Sequence, residues 1–222
     1  MKILAIEFST DQRSVAALVD GRVCGTAMET ATRATHAFAL IDQVLAEAKL
    51  EREEIECLAI GLGPGSYTGI RAALALAQGW QLARPIKLIG VSSVECLATE
   101  AQEKGWFGKV NIAIDAQRNE IYLAGFNLSI TDRLEVEPLR LVTLDQAQSQ
   151  YNAGEIMVGP EVNRWFKSGR ALVPNAAVLG RLASSRTDFT PGEQLEPIYL
   201  RETTFVKAPP PRVLPTDKAD AH

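Results

Sequence analysis

The chain has 222 residues, 46% hydrophobic, 23% charged and 6% aromatic, with a formal net charge of −4. That length holds one large domain or two small ones, with a core that needs no disulfide or metal. No run approaches the roughly 20 apolar residues of a membrane-spanning helix, and Met1 to Phe8 reaches Glu7 too soon for a secretory signal.

Three cysteines, Cys24, Cys57 and Cys96, lack C-x-x-C spacing and read as buried free thiols of a reducing cytoplasm. The two histidines are His36 and His222, which disfavours a His-rich metal site or a Ser/His triad. The acidic balance argues against a protein that grips nucleic acid by itself, because phosphate binding needs clustered Lys and Arg.

In chain order, Ile3 to Glu7 is a short apolar run that ends in a carboxylate and reads as a buried strand. Phe8 to Gln12 has turn composition. Ser14 to Val19 reads as a second strand, and Asp20-Gly21 marks a hairpin into a third, Arg22 to Met28. Thr35 to Lys49 reads as an amphipathic helix with Phe38, Ile41, Leu45 and Ala48 on one stripe. Cys57 to Ile60 is a buried strand that runs into Gly61-Leu62-Gly63-Pro64-Gly65-Ser66-Tyr67-Thr68-Gly69. An Ala-rich helix from Ile70 to Leu82 follows, ended by Pro85. Leu88 to Val91 reads as a strand, and Ser92 or Ser93 caps a helix that runs to about Lys104.

Gly105 to Gly108 reads as a hinge or linker. Then come a strand ending at Asp115, a turn at Gln117 to Glu120, and a strand over Ile121 to Phe126. Ile156 to Gly159 is a further strand, and Ala176 to Ser185 a helix. The Pro-rich, aromatic-free tail reads as mostly disordered. The order strand–acid–hairpin, helix, strand–Gly-Pro occurs twice, once from Ile3 and once from Asn111. Two matches in the same order favour a duplication. The predicted fold is therefore α/β, an actin-like (ASKHA) pair of related βββαβα-type domains with the second copy trimmed. The expected division is 1–104, 105–205, and a tail of 206–222.

The glycine-rich segment has two readings of equal weight. Between a strand and a helix N-terminus, its backbone N–H groups and Ser66 can cradle an anion; alternatively the glycines serve a tight, closely packed turn. It is no Walker A loop, because no Gly-Lys-Ser/Thr follows. Ser9, Thr10, Gly63, Gly65, Ser66 and Asp115 are the candidate nucleotide- or phosphate-binding residues. Glu7 reads as a strand-end carboxylate that accepts backbone hydrogen bonds, whereas Asp115 stays open between that role and metal–nucleotide chemistry. His36 has Leu40 at i+4 and so reads as a helix-start or interface histidine.

Lys2 to Thr10, the Thr35-His36 helix start, Gly61 to Arg71, Gly90-Val91-Ser92-Ser93 and Ile114 to Tyr122 together resemble the TsaB (YeaZ) family. The resemblance spans most of residues 1–126. It implies a cytoplasmic, non-catalytic subunit needed to make N6-threonylcarbamoyladenosine at position 37 of tRNAs that read codons beginning with A. The implied partners are a TsaD-like catalytic paralogue and a TsaE-like ATPase, with tRNA met indirectly through the complex and homodimers formed by similar surfaces. It places the partner interface on the helices starting at His36 and after Gly69, with His36, Phe38, Ile41, Arg71 and Leu74 as candidate contributors; for the apolar stripe of Phe38, Ile41 and Leu74, core packing is an equal alternative. No catalytic residue, metal or required cofactor is expected, with weak ATP or ADP at the partner interface as the one allowance. The family usually has Asp at Glu7, Thr at Phe8 and Phe at Tyr67. The alternatives are a Mg-dependent ASKHA ATPase or phosphotransferase, built on the glycine loop and Asp115, and a glycoprotease-like metallopeptidase.

Overall fold

The computed structural model describes residues 1–30 and 36–200. The predicted helix start at Thr35 and the tail of 206–222 lie outside the described residues.

The chain builds the same sheet twice. In the first half β1 (Lys2–Glu7), β2 (Gln12–Val19) and β3 (Arg22–Thr30) form an antiparallel meander. Helix α1 (Ala37–Ala48) then leads to β4 (Cys57–Gly61), parallel to β1. Helix α2 (Tyr67–Ala83) leads to β5 (Lys87–Val91), parallel to β4. The strand order is β3-β2-β1-β4-β5.

Helix α3 (Ser93–Glu103) crosses to the second half, capped by Ser92, whose hydroxyl accepts from Val94 N. There β6 (Gly108–Asp115), β7 (Glu120–Leu128) and β8 (Arg133–Thr143) repeat the meander. Helix α4 (Leu144–Asn152) leads to β9 (Ile156–Gly159), parallel to β6, and β10 (Arg170–Ala171) and α5 (Ala176–Ser184) close the set. The order β10-β9-β6-β7-β8 has the same connectivity. This is the duplicated actin-like topology. The trimming falls on one element: where α2 joins β4 to β5, β9 reaches β10 through a 3-10 turn at Val162–Arg164.

Both sheets are covered on both faces, which is why their inner strands read as continuous apolar runs. Leu40, Ile41, Val44 and Leu45 of α1, with Ile70, Ala73, Leu74 and Ala77 of α2, pack on Leu4, Ile6, Leu58 and Ile60. The opposite face of the first sheet is covered by α5: Ala176, Val178, Leu179 and Ala183 meet Ile3, Ala5, Ala16 and Leu18. In turn α3 covers the second sheet, with Val94, Leu97, Ala98 and Ala101 against Val110, Ile112, Ile114 and Ala124. The two halves thus exchange helices. Asn175 Nδ2 donates to Glu100 at 2.6 Å, and Arg181 holds both oxygens of Glu103 at 2.7 and 2.8 Å.

This packing decides between the two readings of the helix stripes: Ile41 is 0% exposed and Leu74 5%, so both are core residues. It corrects one expectation, because Cys24 is exposed on the edge strand β3 while Cys57 and Cys96 are buried. The apolar stripe that each helix shows in sequence is the stripe it buries on the sheet. Among the described residues, no helix is long and apolar enough to cross a membrane.

Candidate functional site

Two concave features stand out. The first is a cleft of about 560 Å³ between the halves. It lies where β1, β4, β6 and β9 end, and Ser9, Thr10, Asp11, Gly65, Ser66, Tyr67, Asp115, Glu161, Arg164 and Tyr199 line it. Of the residues expected to bind phosphate, all but Gly63 line this cleft. The Gly63 carbonyl instead accepts from Ser93 N at 2.9 Å and from the Ser92 hydroxyl at 3.4 Å.

Glu7 lies beneath the cleft, fully buried. Its Oε1 accepts from Ser9 N at 2.7 Å and its Oε2 from Ser93 Oγ at 3.0 Å, while Ser93 also reaches Ser9 Oγ at 2.9 Å. Burial pushes the Glu7 carboxyl above its ordinary pKa, and hydrogen bonds from Ser9 and Ser93 and the Arg13 charge oppose the rise. A Cβ at Gly61 would stand 2.2 Å from Glu7 Oε2, so glycine there makes room for the carboxylate. Glu7 ties the turn after β1 to the start of α3.

The glycine loop is locked onto the turn after β1. Ser66 N donates to Ser9 O at 2.6 Å, and a Cβ at Gly65 would be 2.1 Å from that same oxygen. Arg13, which sequence reasoning did not single out, reaches underneath. Its Nη1 donates to Phe8 O at 2.7 Å and its Nη2 to Ser66 Oγ at 3.2 Å. A Cβ at Gly69 would collide with Nη1 at 1.6 Å. Ser66 Oγ also accepts from Gly69 N at 3.4 Å as the α2 N-cap. The Ser66 and Gly69 N–H groups, which could have served an anion, are thus engaged internally.

Across the cleft, Asp115 Oδ1 accepts from Gln117 N at 2.7 Å and Oδ2 from Arg164 Nη1 at 3.1 Å. The turn that follows holds Gln117, Arg118 and Asn119 at φ of 64°, 59° and 61°, three successive left-handed residues without a glycine. Hydrogen bonds from Ala116 N to Glu120 O and from Leu144 N to Asn119 O hold it. Burial, then the nearby Asp115 charge, raises the Glu161 pKa. Asp11, Asp115 and Glu161 line the cleft together with Arg164, an acid-rich lining that disfavours a phosphate. Among the described residues no cluster of three or more His, Cys, Asp or Glu could hold a metal ion. Glu161 and Arg164 follow the Gly159-Pro160 turn signal but carry no motif of their own, so nothing in the sequence marks them.

The second feature is an apolar groove of about 650 Å³ on the outer faces of α1 and α2. Phe38, Ala72, Ala75, Leu76, Gly79, Trp80 and Ala83 line it, with Arg52, Glu53 and Arg84 among its charged members. Phe38 is 62% exposed, and nothing lies within 4 Å of where a Gly79 Cβ would be. Small residues on α2 therefore leave its backbone approachable. His36 stands at the N-cap position of α1, outside the groove lining and without a side-chain capping bond: its N donates to Glu29 Oε1 at 2.8 Å, and its Nδ1 lies 3.2 Å from Glu29 Oε2. Arg71 is exposed and lies over the Tyr67 ring at 4.2 Å.

Comparison with known proteins agrees with this architecture. A family model described as TsaD: tRNA N6-adenosine threonylcarbamoyltransferase matches residues 28–176. The tRNA threonylcarbamoyladenosine biosynthesis protein TsaB of Escherichia coli (strain K12) is 30% identical, over 95% of this chain and 99% of its own. The protein of that name from Haemophilus influenzae is 28% identical, over 94% and 98%. The solved structure of YeaZ from Pseudomonas aeruginosa superposes with a TM-score of 0.77 at 25% identity, covering 90% of this chain and 99% of that one. Matching relatives over nearly its whole length, the chain belongs to the TsaB (YeaZ) family.

Proposed function

We propose that this protein is a non-catalytic, cytoplasmic subunit required for threonylcarbamoyl transfer to adenosine 37 of tRNAs that read codons beginning with adenine. It acts by docking on a TsaD-like catalytic subunit, with a TsaE-like ATPase completing the complex and tRNA met through those partners. The observation that carries the reading is the groove on α1 and α2. It is apolar and open, it has Phe38 exposed at its edge, and its floor of Ala and Gly suits close approach by another helix. Docking would favour the competent conformation of the catalytic subunit, an equilibrium shifted by differential affinity.

The internal use of the Ser66 and Gly69 N–H groups and the acid-rich cleft speak against the phosphotransferase alternative. The test is co-purification with the TsaD-like subunit of the same organism. Ala75→Glu places a charge in the groove at an exposed position and should abolish co-purification while leaving the thermal transition unchanged. Retained binding by a folded Ala75→Glu would overturn the interface. ATP turnover by the isolated chain would favour the alternative.

A further inference from the structure

Beyond α5 the chain doubles back across the first half. Thr190 N donates to Leu88 O at 2.9 Å, Gly192 N to Gln81 Oε1 at 2.8 Å, and Gln78 Nε2 to Gly192 O at 2.9 Å. Leu195 is buried in the first core, and Ile198 N donates to Leu62 O at 2.9 Å. Up to Ile198 the segment is pinned to α2 and to the ends of β4 and β5.

Its tip is held differently. The Tyr199 ring stacks on Tyr67, with centroids 5.6 Å apart and planes at 23°, and the Arg71 guanidinium also lies over Tyr67. Tyr67 is 55% exposed and Tyr199 38%. Exposed aromatic and cation–π contacts are weak compared with a buried leucine and a backbone hydrogen bond. Both tyrosines wall the cleft.

We propose that Thr190–Tyr199 is a latch on the cleft mouth, with a fixed base and a tip that swings. When Tyr199 lies on Tyr67 the mouth is narrowed; when it leaves, the way to Thr10 and Asp115 widens. The graded anchoring makes this a local motion, because releasing Tyr199 breaks neither the Leu195 packing nor the grip of Gly192 on α2. This inference does not depend on which partner the groove takes.

Thiol access tests it. In a Cys24→Ser background the remaining cysteines, Cys57 and Cys96, are buried, and a Thr10→Cys reporter sits in the cleft. Labelling of that thiol by a bulky maleimide should speed up about tenfold on Tyr199→Ala and about threefold on Arg71→Ala, as stacking contacts are lost. Tyr199→Phe, which keeps a ring, should label at the reference rate. Equal rates in Tyr199→Ala and the reference would overturn the latch. So would simultaneous labelling of Cys57 and Cys96 in Tyr199→Ala, because the tip would then hold the whole fold. Arg71→Ala alters an exposed side chain and keeps the question open to refutation should Tyr199→Ala fail to fold.

Discussion

At the residue scale, the glycines of α2 separate packing from propensity. Gly69 and Gly79 lie on the same helix. At Gly69 a Cβ would meet Arg13 Nη1 at 1.6 Å and Phe8 O at 2.0 Å, the second being backbone that cannot step aside. Gly69→Ala should cost about 3 kcal/mol or more, in the range of severe overpacking. Gly79→Ala meets nothing and gains helix propensity, so it should stabilise by about 0.5–1 kcal/mol. Urea denaturation of both variants checks the opposite signs. Glu7 gives a pH prediction. Its folded pKa is raised by burial above the unfolded value, so the folded state holds the extra proton. Its stabilising contribution is therefore full below the unfolded pKa and is lost as pH rises through the folded one. Glu7→Gln keeps an acceptor for Ser9 N and should flatten this fall. The wild-type-minus-variant difference in unfolding free energy should shrink with rising pH through that window; a difference independent of pH would show that the carboxyl does not titrate there.

At the element scale, what was legible followed from pattern strength. The opening meander, the strand into the glycine loop and the second strand–acid–hairpin all carry continuous apolar runs or turn dipeptides, and the structure has them. Strand β8 and helix α4 left no comparable pattern. Strand β8 is an edge strand interrupted by Pro138, and its apolar Leu134 and Val136 face water. Helix α4 buries Ala147 alone, so no apolar stripe marks it; its signal is the Thr143–Gln146 capping box. The helix stripes were legible, but their direction was not. Periodicity says which residues share a face, and only the placement of α1 and α2 says that the face with Ile41 and Leu74 meets the sheet. The side left open, which we propose faces the partner, is the small-residue side at Ala72, Ala75 and Gly79, which carries little hydrophobic contrast. Within the cleft, Asp115 and Ser66 were legible from strand-end position and loop composition. Arg13 and Tyr199 were not, because each reaches the site through a long-range contact, and Glu161 carries no motif of its own. Trimming removed the counterpart of α2 from the second half, so the groove has no repeat there. Ala75→Glu should therefore abolish partner binding outright, with no second site to compensate.

At the scale of the whole molecule, the exchange of α3 and α5 makes one cooperative body from two sheets. Residues 1–104 alone would lack α5 and leave Ile3, Ala5, Ala16 and Leu18 uncovered. That fragment should be aggregated or unfolded by circular dichroism and gel filtration, whereas residues 1–200 should unfold in a single transition. A soluble, cooperatively folded 1–104 fragment would contradict the helix exchange. The central claim, that this body serves tRNA modification as a docking subunit, is tested most directly in cells. The protein is depleted, total tRNA is digested to nucleosides, and N6-threonylcarbamoyladenosine is measured by mass spectrometry. The modified nucleoside should fall severalfold or more, return with the wild-type chain and stay low with Ala75→Glu; unchanged levels after depletion, or full rescue by Ala75→Glu, would contradict the account.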